Sequence, residues 1–174
     1  MRRPSATISR DHMLYRQVGW RHLGMKFPYI SGPMSNIEHH NFPAFFQCEL
    51  ELLRDGYESL NPARMSGVDT WEEAVEQILQ YPETWESCIR RDVSDVLHSD
   101  GIVLLPNWHK SRGACLELII SISIGNRVAV WFPGRELMFI DEPSIHYDMA
   151  VDTLKRFGII SPVDMYKAER PVLY

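Results

Sequence analysis

Residues 101–132 read GIVLLPNWHKSRGACLELIISISIGNRVAVWF. The stretch opens on a continuous apolar run, Gly101 to Pro106, the pattern of a strand covered on both faces. A polar turn with Gly113 follows, then an apolar helical stretch, a Gly125-Asn126 turn and a second apolar run, Arg127 to Phe132. Strand, helix and strand in this order form the unit that builds parallel sheets. One residue stands out. Glu117 sits among Leu116, Ile119, Ile120 and Ile124, and an ionised carboxylate is costly to bury without partners. It is either a rim glutamate near a helix start, where the helix dipole favours it, or a carboxylate held in a pocket for chemistry. The spacing alone favours the rim.

The same alternation extends upstream. "KFPYISGPM" reads as a short buried strand closed by the Ser31-Gly32-Pro33 loop signal. In "NFPAFFQCELELLRDGY" Asn41 suits the cap, Pro43 the first turn and Gly56 the stop, with Phe42, Phe46, Leu50 and Leu53 as the apolar stripe. "YESLNP" reads as a second short strand closed by Asn61-Pro62, and the stretch through "TWEEAVEQILQ" as a polar loop and a helix. "PETWESCIRRDVSDVLHSD" reads as a helix with Trp85, Ile89, Val93 and Val96 as its stripe; "SIHYDMAVDTLKRFG" gives one further helix in the tail. The expectation is an α/β fold: one domain over residues 25–174, a Rossmann-like parallel sheet flanked by helices, preceded by an extension over residues 1–24. Ligands in such folds sit beyond the carboxyl ends of the strands, which directs attention to two loops, Ser31 to Asn36 and Pro106 to Gly113.

Composition narrows the function. The chain has 174 residues and a formal net charge of -5, which argues against binding polymeric nucleic acid. Three scattered cysteines without CxxC spacing indicate neither a zinc site nor a disulfide framework. A reducing, cytoplasmic setting is expected. No apolar run approaches the ~18 residues of a membrane span. The basic N-terminus lacks the apolar centre of a signal peptide. The histidines His39, His40, His98, His109 and His146 show no metal spacing, and no cofactor is expected.

Candidate chemistry gathers at the two loops. Ser111, Gly113 and the helix start that follows offer amide groups and a positive dipole end to an anion, with Lys110 and Arg112 as flanking cations or as plain exposed charges. Asp92 lies at the edge of its helix's apolar face, looking into a cleft or pairing with Arg90 or Arg91. Asp95 reads as a solvated charge and Asp100 as a turn residue. Tyr29 either places a phenol near the site or belongs to the core.

Together, "YISGPM", "NFPAFFQCELELLRDGYESLNP" and "TWESCIRRDVSDVLHSDGIVLLPNWHKSRGACLELIISISIGNRV" resemble the nucleoside 2-deoxyribosyltransferase-like superfamily. They are most similar to a branch common in bacteriophage and prophage genomes, which adds a host cytoplasm to the expected settings. Relatives in that superfamily include 2'-deoxynucleoside 5'-phosphate N-hydrolase and cytidylate N-glycosidase. The resemblance runs from about Tyr29 to Trp131, less residues 66–81. It implies that Glu117 is the catalytic glutamate attacking the anomeric carbon, with Asp92 supporting it and Tyr29 beside it. It implies that Ser31, Gly32, Pro33 and Met34 line sugar and base, and that Ser111 binds the substrate's 5' end; Arg112 and Gly113 are expected to join it there as parts of the anion-ready turn, and Asn61 joins the substrate-binding set. Pro33-Met34 stands where monophosphate glycosidases often carry a more polar loop, and Lys110 replaces the acid of the transferases' "DSG". The expected activity is N-glycosidic cleavage of a nucleoside 5'-monophosphate. The alternatives are sugar transfer between bases and a nucleotide-binding module without turnover. The resemblance also implies a homodimer or larger, in which Tyr147, Asp148 or Tyr166 of the tail completes a neighbour's site.

Overall fold

The computed structural model describes residues 25–64 and 68–159. The extension over residues 1–24 and Tyr166 lie outside the described residues. In chain order the elements are β1 (Pro28–Ser31), a 3-10 turn (Glu38–Asn41), α1 (Phe42–Arg54), α2 (Trp71–Gln80), α3 (Trp85–His98), β2 (Gly101–Leu104), a second 3-10 turn (Trp108–Lys110), α4 (Arg112–Ser123), β3 (Arg127–Val130), β4 (Met138–Ile140) and α5 (Ser144–Arg156).

β1, β2 and β3 run parallel, with Tyr29 opposite Ile102 and Ile102 opposite Val128. β4, which the sequence reading did not anticipate, pairs antiparallel with β3. The sheet is therefore mostly parallel with one antiparallel edge, a Rossmann-like α/β arrangement. The second strand expected in "YESLNP" is reduced to one parallel bridge between Leu60 and Tyr29, with Ile30 N–H donating to Leu60 O at 2.9 Å. That bridge lies on the edge of β1 opposite β2. The chain thus moves to one side of β1 and then to the other, and this reversal opens a crevice at the carboxyl ends of β1 and β2.

Period-2 alternation sorts the strands between two cores. Ile30, Val103 and Ala129 pack with Phe42, Phe45 and Leu52 under α1 and α2. Tyr29, Ile102, Leu104, Val128 and Val130 pack with Val96, Leu118 and Leu154 under α3, α4 and α5. α4 is nearly apolar all round because it contacts the sheet and lies against both α3 and α5.

Two helix readings are corrected. α1 buries Phe42, Phe45, Cys48 and Leu52, while Leu50 and Leu53 are 49% and 62% exposed. Its apolar residues cover two faces, and the periodicity does not choose between them; the small Cys48 marks the face that meets the sheet. Asn41 does not cap α1 with its side chain. It takes a left-handed backbone, and its amide donates to Pro33 O at 2.9 Å. On α3 only Val96 of the expected stripe is fully buried, and Trp85 is exposed, because this face borders a cavity instead of a packed core. Asp100 does more than turn the chain. Its carboxylate accepts the N–H groups of Lys26 and Phe27 at 2.7 and 2.8 Å, fixing the entry into β1.

Candidate active site

The crevice at the ends of β1 and β2 is a cleft of about 470 Å³. Gly32 and Met34 reach it from the loop after β1, and Ser111, Gly113, Ala114 and Glu117 from the start of α4. Trp85, Cys88, Ile89 and Asp92 come from one face of α3; Phe42 and Phe45 from α1, Ile78 and Leu79 from α2, and Pro82, Glu83 and His40 from the intervening segments. The walls are apolar with a few convergent polar groups, the usual make-up of a small-molecule site.

Glu117 is the one fully buried carboxylate among these groups, 5% exposed. Because Tyr29 and Ser31 are two residues apart on a strand, both side chains leave the same face of the sheet, and that face meets α4. Ser31 Oγ donates to Glu117 Oε2 at 2.5 Å, and Tyr29 Oη donates to Glu117 Oε1 at 3.3 Å. Each carboxylate oxygen therefore has a hydroxyl partner. Burial, reinforced by the charge of Asp92, nonetheless raises the Glu117 pKa to about 8, against the opposing pull of the two hydroxyls. Burial also raises Tyr29 well above the ordinary phenol value, and Glu117 and Asp92 add to it.

Asp92 approaches from α3, its side chain 14% exposed. Burial raises it to about 6, with Arg91 pulling the other way. Arg91 Nε contacts Asp92 Oδ1 at 3.2 Å, and the same guanidinium holds Glu83 Oε2 at 2.7 Å. The cleft thus holds two carboxylates whose pKa values burial raises to different extents.

Gly32 is required by close approach: a Cβ there would lie 2.8 Å from Leu105 Cβ. At Gly113 an added Cβ would lie 3.8 Å from Glu117 Oε1, so its absence leaves the space over that carboxylate open. Ser111 caps α4, its Oγ accepting from Ala114 N–H at 3.3 Å.

The structure brings Tyr29, Ser31, Gly32, Met34, Asp92, Ser111, Gly113 and Glu117 to the cleft or into contact with its carboxylates. It does not bring Pro33, Asn61 or Arg112 into the lining. Pro33 is buried within the loop, its carbonyl taken by Asn41. Asn61 bonds Glu49 at 3.1 Å and the Ala63 N–H at 2.9 Å, and faces a smaller neighbouring cavity. Arg112 lies with its guanidinium 3.6 Å over the Trp85 ring, at the cleft rim. Lys110 is likewise absent from the lining. Tyr147 and Asp148 are on α5 and line none of this cleft. Sequence reasoning missed Glu83, Cys88 and His40. His40 belongs to three consecutive left-handed residues, His39, His40 and Asn41 with φ of 50°, 53° and 60°; two histidines before Asn-Phe-Pro carried no signal of that. Among the described residues no group of histidines, cysteines and carboxylates is arranged to hold a metal ion, and no helix is long and apolar enough to cross a membrane.

Residues 26–130 match the family described as Domain of unknown function (DUF4406), and the chain belongs to that family. Every residue of the Tyr29–Ser31–Asp92–Glu117 cluster falls inside the matched segment. No curated protein and no solved structure matches the chain.

Proposed function

Starting from that membership and from the cleft, we propose that the protein cleaves the N-glycosidic bond of a nucleoside or nucleoside 5'-monophosphate. One observation carries the reading: a buried glutamate, fixed by two hydroxyls and facing an open cleft, shares that cleft with a second, half-buried carboxylate. A structural ion pair would bring a cation to Glu117. Here its bonding partners are Ser31 and Tyr29, and the charge that acts on it is another carboxylate, Asp92.

In the resting cleft Glu117 holds the proton and Asp92 the charge near neutral pH. Substrate binding shifts the proton to Asp92, since the developing oxocarbenium charge favours an ionised Glu117. The Glu117 carboxylate then bonds to the anomeric carbon as the carbon–nitrogen bond breaks. The bonding pair leaves with the base, which takes the proton from Asp92. Water, giving a proton back to Asp92, attacks the glycosyl ester; the sugar acquires a hydroxyl and Glu117 is released. A second base in place of water makes the same site a transferase. The start of α4, with Ser111 and Gly113, receives the substrate's 5' end. The cleft is open on one side, and a second copy of the chain closes it, as a homodimer or larger assembly in a cytoplasmic setting.

The test is chromatography of nucleosides and their 5'-monophosphates after incubation with the protein. Release of free base supports the reading. Exchange only when a second base is present makes the protein a transferase. Binding without base release at any enzyme concentration makes it a nucleotide-binding module.

A further inference from the structure

Behind Asp92 lies a second, smaller cavity of about 320 Å³, lined by Asn61, Arg64, Gln77, Glu83, Arg91 and Asp95 among others. Glu83 borders both cavities, whereas Arg91 borders only the smaller one. Arg91 therefore stands behind the cleft wall. Its guanidinium reaches Glu83 at 2.7 Å on one side and Asp92 at 3.2 Å on the other. Glu83 also accepts from Cys88 Sγ at 3.3 Å, one helical turn before Asp92. The planar guanidinium has donors to serve both carboxylates at once, which an ammonium on a flexible stem does not reproduce.

The groups around Asp92 make this contact decisive. Asp95 on its own helix and Glu83 in the segment before it act on Asp92, and the Asp92 charge is felt in turn by the Cys88 thiol, by Glu117 on α4 and by the Tyr29 phenol on β1. All but Arg91 either carry negative charge or gain it on ionising. We infer that Arg91, braced by Glu83, is a positioning residue of the proposed reaction: it fixes the Asp92 carboxylate in the cleft wall and keeps Asp92 the charged member of its pair with Glu117. The inference rests on the N-glycosidase reading for its catalytic consequence. The Arg91–Asp92 relation itself is testable without substrate.

The experiment follows the carboxyl carbon of Asp92 by NMR titration of the unliganded protein, assigned with Asp92→Asn, in the wild type, Arg91→Met and Arg91→Lys. Arg91→Met is expected to move the Asp92 midpoint up by about one pH unit or more, with Arg91→Lys in between. A midpoint that stays at the wild-type value, or falls, overturns the inference. If Arg91→Met does not fold, Arg91→Lys decides by the same criterion. On a nucleoside that the wild type cleaves, Arg91→Met is expected to lower kcat about tenfold with KM within about twofold, and to shift the limb of the pH profile in the direction of the titration. A loss confined to KM, or a pH profile unmoved, overturns the positioning role. If the wild type releases base from no nucleoside, the N-glycosidase reading fails, and the titration still reports whether Arg91 holds Asp92 charged.

Discussion

α3 and α4 face each other across the cleft and supply one carboxylate each, yet they hold them by different means. α4 is buried along Ala114, Cys115, Leu118 and Ser121, and Glu117 is locked by hydroxyls from β1. α3 buries only Val96 completely, and Asp92 is held by an arginine whose side chain is 40% exposed. Glu117 is thus positioned by the core, and Asp92 by charges near the surface. In the proposed reaction the carboxylate that must meet one atom has the rigid mount, and the one that passes a proton has the softer one.

The largest effect that would test this contrast is on turnover. Glu117→Gln keeps the shape and loses the attacking charge, so base release is expected to fall about 10³-fold or more while substrate binding, followed by calorimetry, stays near wild type. A folded variant that releases base at the wild-type rate makes Glu117 structural. Asp92→Asn is expected to slow turnover by about 10²-fold, the scale of a lost general acid, and loss of the pH-profile limb near 6 would tie that effect to its titration.

Stability should separate the two mounts next. Leu118 is fully buried, and Leu118→Ala is expected to cost about 2–5 kcal/mol in denaturant unfolding. Ile89, half-buried at the cleft wall, should cost about 1 kcal/mol on the same change. Equal losses would mean that α3 is packed as firmly as α4.

A subtler test follows the pH. Glu117 has its folded pKa raised from 4.5 to about 8. Below the lower value it is protonated in both states and costs nothing. Between the two values the unfolded chain releases a proton that the folded chain keeps, so stability declines as pH rises and levels off above about 8. Glu117→Gln removes that decline. Its melting temperature relative to wild type should therefore climb between pH 5 and 8, and a difference independent of pH would show that Glu117 titrates normally. The smallest effect belongs to Ser111→Ala, expected to raise KM for a monophosphate about threefold more than for the matching nucleoside. Equal changes would remove the α4 start from phosphate recognition.

The fold was readable because apolar runs at strand length alternate with helical stretches; β1, β2, α4 and β3 all stand where those runs predict. The β4 edge was not, since Met138 to Ile140 is a three-residue strand with no internal period. At the site, Glu117 and Asp92 stand out in the sequence as carboxylates within or beside apolar helical surface, and the resemblance supplies their roles; the two-residue spacing of Tyr29 and Ser31 puts both on one face of β1, but only the packing of α4 makes Glu117 their partner. The setting of Arg112 was not legible for a plain reason: a cation beside a helix start reads as an anion ligand or as an exposed charge, and only the fold reveals that Trp85 lies beneath it.

The left-handed run His39–His40–Asn41 carries a consequence for engineering. Each of these residues holds a conformation that side-chain-bearing residues pay about 1 kcal/mol to adopt, and His40 borders the cleft. A library selected for thermal tolerance alone will therefore be drawn to glycine at these positions, gaining robustness by relaxing the wall of the proposed ligand cleft. Selection for ligand recognition will resist the same replacements. The segment is thus the place where the two pressures collide, and where a heat-hardened variant should first lose discrimination among ligands.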